Sequence, residues 1–151
     1  MNIKIDIAYL FKVMPQTIAL ILILLTAACS GDDPKPNELE EAKRKLTSVT
    51  WNVKVVTVDG VDKTSMYDGL TLKFTSASFV SSGGKPVWPS SGTWLFKDDA
   101  GTLIDRGDGV QLNINELTDD KLSLSLDWNS TTFGGGRKSS VKGNHIFVFK
   151  K

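Results

Sequence analysis

The chain has 151 residues, with 18 Lys and Arg against 17 Asp and Glu and a formal net charge of +1. Lys4, Lys12 and Asp6 are the only charges in the first 28 residues, so the remainder is neutral and offers no basic face for phosphate contacts. One Cys and one His argue against a structural zinc site, a disulfide scaffold and a thiol-redox centre. No nucleic acid, metal or cofactor is therefore expected.

The N-terminus reads as an export signal. Residues 1–12 carry two lysines, residues 18–25 read IALILILL, and Thr26-Ala27-Ala28-Cys29 follows. Eight aliphatic residues fall short of the roughly 20 that a membrane-spanning helix needs. Leu25-Thr26-Ala27-Ala28-Cys29 resembles the lipobox of bacterial lipoproteins, with Thr26 where an aliphatic residue is usual. The resemblance implies cleavage between Ala28 and Cys29 and a thioether from Cys29 to diacylglycerol. The partner implied is a membrane, reached through a covalent lipid anchor. Asp32-Asp33, just beyond, resembles the export signal of surface-exposed lipoproteins in Bacteroidota, which implies an outer-membrane location. Pro34 and Pro36 stiffen this stretch, and eight residues from Ser30 to Asn37 reach about 25 Å at roughly 3.1 Å each. The expected organisation is a signal peptide over 1–28, a lipidated Cys and tether over 29–36, and one folded domain over 37–151.

That domain opens with a helix signal. Asn37 offers a cap and Glu40 stands three residues on. Acidic residues fill the first turn and Lys43, Arg44 and Lys45 the last, matching the helix dipole. Leu39, Ala42 and Leu46 share one face, which must dock because so short a helix is marginal alone.

From Thr50 the period changes to that of strands. Trp51, Val53 and Val55 alternate with polar residues up to Asp59-Gly60, a tight-turn pair. Leu70, Leu72 and Phe74 alternate next, followed by a weaker run at Ser78-Phe79-Val80. Thr93-Trp94-Leu95-Phe96 and Thr102-Leu103-Ile104 each end in a turn rich in Asp and Gly. Val110, Leu112 and Ile114 alternate, then Leu122, Leu124, Leu126 and Trp128, and His145 to Phe149 closes the series.

About eight short strands in a meander, with one short N-terminal helix, predict a mostly β, up-and-down antiparallel barrel, which removes exposed edges. A β-sandwich is the alternative. The inward set expected to line the barrel includes Trp51, Phe74, Trp94, Phe96, Leu112, Leu124 and Trp128. Two connections are long: Ser81–Ser91, which holds Trp88 between Pro86 and Pro89, and Asn129–Asn144, which holds Phe133-Gly134-Gly135-Gly136 and Arg137. Trp88, Phe133 and Arg137 are the candidate loop contacts, with Trp88 expected over a barrel mouth or against a partner.

A Trp opening the first strand, Ser91-Gly92-Thr93-Trp94-Leu95-Phe96, and the run INELTDDKL from Ile114 to Leu122 accompany the lipobox. Together they resemble the small lipocalin-like lipoproteins of Bacteroidota. The resemblance implies a calycin-like barrel and carries over no catalytic residue.

Catalytic patterns are missing from the sequence. His145 shares a strand face with Phe147 and Phe149, the pattern of a structural histidine. Asp98-Asp99, Asp105 with Asp108, and Asp119-Asp120 sit in predicted turns, where Asp side chains bond nearby backbone groups. The expectation is a non-enzymatic lipoprotein that binds a small hydrophobic ligand in its barrel. The alternative is an accessory subunit of a cell-surface complex, binding a protein or glycan through its loops.

Overall fold

The computed structural model describes residues 37–130 and 141–151. Cys29, Ala28, Phe133 and Arg137 lie outside the described residues.

Helix α1 (Glu38–Ser48) starts where the cap predicts: Asn37 Oδ1 accepts the Leu39 N–H at 3.1 Å. Arg44 bonds Glu41 one turn earlier and, at 3.4 Å, Asp119 of a barrel turn. The hydrogen bond from Arg44 leads in holding the Glu41 carboxyl down to about 2; burial opposes it, and the Lys45 hydrogen bond and both charges add to the lowering. The apolar face docks as expected, with Leu46 fully buried. The indole of Trp51 ties helix to barrel by donating to the Leu46 carbonyl at 2.9 Å. Gly101 makes the docking close: a Cβ there would meet that of Ala42 at 2.6 Å.

Ten strands follow, all pairing antiparallel. They are β1 (Thr50–Val58), β2 (Val61–Asp62), β3 (Thr71–Phe74), β4 (Ser78–Ser82), β5 (Ser91–Thr93), β6 (Leu95–Phe96), β7 (Leu103–Asp105), β8 (Gln111–Leu117), β9 (Lys121–Trp128) and β10 (Gly143–Lys150). The sheet order is β5-β4-β3-β1-β10-β9-β8-β7-β6, with β2 a short return beside β1. The two ends of this path, β5 and β6, are separated in sequence by Trp94 alone. Taking β5 and β6 as one interrupted strand, and leaving out β2, the path is an eight-stranded, nearly closed lipocalin-like barrel. The sandwich alternative is set aside by this single continuous sheet.

The break at Trp94 has a local cause. Its backbone N–H turns to the Ala77 carbonyl at 3.1 Å, and its indole N–H reaches the carbonyls of Thr75 and Ser78 at 3.0 and 3.1 Å. The Asp59-Gly60 turn forms as predicted, with φ of 50° and 79° and Val58 paired to Val61.

One alternation needs correcting. Trp51 points inward, but a bulge between Val53 and Val55 resets the phase of β1, so Val56 is buried and Val55 is 43% exposed. A second irregularity falls between Ile114 and Glu116 on β8.

A meander sends its connections alternately to opposite ends. One end carries the short turns 75–77, 97–102 and 118–120, together with α1. The other carries the longer connections 59–70 and 83–90, the five-residue turn 106–110, and residues 129–130 and 141–142, where β9 ends and β10 begins.

Candidate functional site

Tyr67, Trp88, Arg106, Trp128 and His145 converge at the long-loop end, while Phe74, Trp94 and Phe96 gather beside the 75–77 turn at the other. Of the barrel-lining candidates, Trp51, Phe74, Trp94, Leu112 and Leu124 are buried in one hydrophobic core. Phe96 and Trp128 are half-buried and pack against it. Their aromatic rings touch: Phe74 lies edge-on to Trp94 at 5.6 Å, and Trp94 edge-on to Phe96 at 5.1 Å.

Trp88 lies at the barrel end, buried rather than exposed on its loop. Its ring is 0% exposed and inserts between Phe79 and Phe147, edge-on to both, at 5.9 and 5.8 Å. It therefore closes the barrel end from inside and presents nothing to a partner. The loop folds tightly enough for this because Trp88 N–H bonds the Gly84 carbonyl at 2.8 Å, and a Cβ on Gly84 would sit 2.5 Å from that of Trp88. So large an apolar ring gains more from burial than the loop loses in freedom.

Arg106 is the principal residue that the sequence reading missed. It follows β7 in a turn of Asp and Gly, yet its side chain has no exposed surface. Its guanidinium lies 5.1 Å from the Trp88 ring and 5.9 Å from the Trp128 ring. Nη1 donates to the Val87 carbonyl at 2.7 Å, and Nη2 and Nε reach Asp108 at 2.8 and 3.1 Å. Burial pushes the Asp108 carboxyl up, but the hydrogen bonds and charge of Arg106 more than offset this, leaving it below the usual range. The arginine thus bolts three segments together: the Trp88 loop, its own turn and the end of β9. The indole N–H groups of Trp88 and Trp128 are buried with no acceptor among the described residues.

Tyr67, delivered by a 3-10 turn over Thr64–Tyr67, is also new. Its hydroxyl lies 2.8 Å from Nε2 of His145, whose Nδ1 is 3.1 Å from the Gly143 carbonyl. A carbonyl only accepts, so Nδ1 carries the proton and Nε2 accepts from Tyr67. Burial pushes the His145 pKa down, with the Gly143 carbonyl and Asp59 opposing. The ring stacks on Phe147 at 5.6 Å. This arrangement gives the imidazole a fixed tautomer and a core position.

The paired carboxylates sit in turns. Asp98 accepts from the Thr102 and Leu103 N–H groups, and Asp105 from that of Gly107. Among the described residues, no three His, Cys, Asp or Glu side chains gather as a metal site.

Three clefts open on the described surface. One, of about 470 Å³, lies between β8 and β9 beside Trp128. Another of about 340 Å³ separates α1 from β8, and a third of about 220 Å³ lies against the Trp88 loop. Of the barrel-lining candidates, only Trp128 touches any of these three. No family model, curated protein or solved structure matches the chain.

Proposed function

We propose that this chain is a non-catalytic, outer-membrane lipoprotein, anchored through Cys29, that serves as an interaction subunit. Its barrel is a rigid body that offers its long-loop end to a partner. The observation that carries this reading is the packing of the barrel by its own aromatic side chains. Trp88 occupies the place that a carried ligand would need, and Arg106 holds the surrounding loops in one arrangement. Fixed loops lower the ordering cost of association. The role of small-ligand carrier gains no comparable support from this packing. Anchoring rests on Cys29 and the apolar run before it, since two or three acyl chains hold a protein firmly where one does not.

Mass spectrometry of detergent-extracted protein should find an acylated peptide beginning at Cys29, and Cys29→Ser should release the protein from membranes. Cross-linking on intact cells should join the wild type to a surface partner. An unmodified N-terminus elsewhere, or saturable quenching of Trp fluorescence by fatty acids with no cross-linked partner, would overturn the proposal.

A further inference from the structure

We propose that the cleft beside Trp128 binds a neutral saccharide. The inference rests on the reading above, that the long-loop end engages a partner, and gives that partner a chemical class.

The cleft exists because two strands part. The ladder between β8 and β9 begins at Asn113 and Ser125, although β8 starts at Gln111 and β9 continues to Trp128. Beyond that pair, β8 is held by β7 through Gln111 and Asp105, while β9 is held by β10 through Asp127 and Asn144. The opening between them, about 470 Å³, falls in the range of about 300–1,000 Å³ that small-molecule sites occupy.

Its lining has the chemistry that sugars require. A pyranose presents C–H groups on its faces and hydroxyls around its rim. Trp128 supplies a flat apolar surface at the cleft, and its ring is held from the core side by Arg106. Gln111 and Asn113 lie two residues apart on one strand, both exposed and both on the cleft. Each amide offers two donors and a carbonyl acceptor, a match for neighbouring hydroxyls that donate and accept at once. Asp127 faces them from β9, oriented by the Asn144 amide, which donates to its Oδ1 at 2.8 Å.

Charge selects the class of sugar. Among the described residues no Lys or Arg side chain lines the cleft, so there a phosphate or sulfate meets no counter-charge. The Asp127 carboxylate would repel an acidic sugar. A neutral saccharide is what remains.

The test is native affinity electrophoresis of the full-length protein in non-ionic detergent. The gels contain dextran, pullulan, laminarin, galactomannan or xylan, with heparin as the anionic comparator. At least one neutral polymer should retard the protein and heparin should not. With the matching oligosaccharide, calorimetry should show Kd raised at least fivefold in Gln111→Ala and in Asn113→Ala, and binding lost in Trp128→Ala. The first two side chains are exposed and make no hydrogen bond to the rest of the protein among the described residues, so these variants remain informative if Trp128→Ala unfolds. No retardation by any neutral polymer, retardation by heparin alone, or binding indifferent to Gln111→Ala and Asn113→Ala would each overturn the saccharide site. A cross-linked protein partner that survives the same substitutions would leave the interaction-subunit reading standing without the sugar. Failure of both experiments would remove both.

Discussion

Replacing Trp88 with Ala should open a cavity at the barrel end that its ring now fills. The indole is fully buried, and truncating a buried Trp to Ala costs about 3–5 kcal/mol. Its edge-to-face contacts with Phe79 and Phe147 place the loss in the upper part of that range. Removing a buried N–H that has no acceptor returns about 1–3 kcal/mol. The net expectation is a loss of about 1–4 kcal/mol, read as a lower urea midpoint with an unchanged slope. Phe79 and Phe147 would wall this cavity on two sides and the Arg106 guanidinium on another, a setting that suits an aromatic guest such as benzene. Benzene at about 100 times its Kd should therefore restore about 2.7 kcal/mol to the variant and nothing to the wild type. Unfolding is followed by far-UV circular dichroism, which needs no Trp signal. A loss below about 1 kcal/mol would refute the packing argument. Equal stabilisation of both proteins by benzene would show a cavity already present, and would restore the ligand-carrier reading.

Arg106→Met should cost about 2–4 kcal/mol in the same urea assay, because it strips the buried Val87 carbonyl of a charged donor and removes the cation from two Trp rings. Asp108 is 43% exposed at its side chain and rehydrates, which keeps the loss below that of a fully buried broken pair; a change under about 1 kcal/mol would count against the bolt. His145, whose pKa is lowered by burial, binds a proton more readily when unfolded, so stability should fall as pH drops below about 6.5, by at most about 1.4 kcal/mol per pH unit. Urea midpoints between pH 5 and 7 should show this slope in the wild type and a flatter one in His145→Gln, and identical slopes would refute it.

The barrel was legible because its information is local and repeated. Alternation at Leu70–Phe74, Val110–Ile114 and Leu122–Trp128, with an Asp-Gly turn and an Asn cap, needs only neighbouring residues to be read. What escaped was whatever depends on contacts far along the chain. The β1 bulge is invisible in Trp51-Asn52-Val53-Lys54-Val55, since the run alternates and only pairing with β10 resets its phase. Trp94 looked like one more strand residue, but its three hydrogen bonds to the 75–78 turn split the strand. Tyr67 carried a weak signal, an aromatic residue standing outside any alternating run.

Trp88, Arg106 and Trp128 show why the functional end was harder to read than the barrel. Arg106 sits between Asp105 and Asp108 in a turn, the usual setting of a solvated side chain, and Trp88 sits in a loop between two prolines, the usual setting of an exposed one. Neither is buried on its own account. A buried guanidinium is tolerated only where rings cover its faces and acceptors meet its edges, and the rings and acceptors come from three separate connections. Each partner makes the burial of the others affordable. The same cooperativity links core to surface: the arginine that helps Trp88 seal the barrel also backs Trp128 at the cleft between β8 and β9. Weakening the seal should therefore loosen that cleft, so that Arg106→Met lowers affinity at the Trp128 cleft as well as stability.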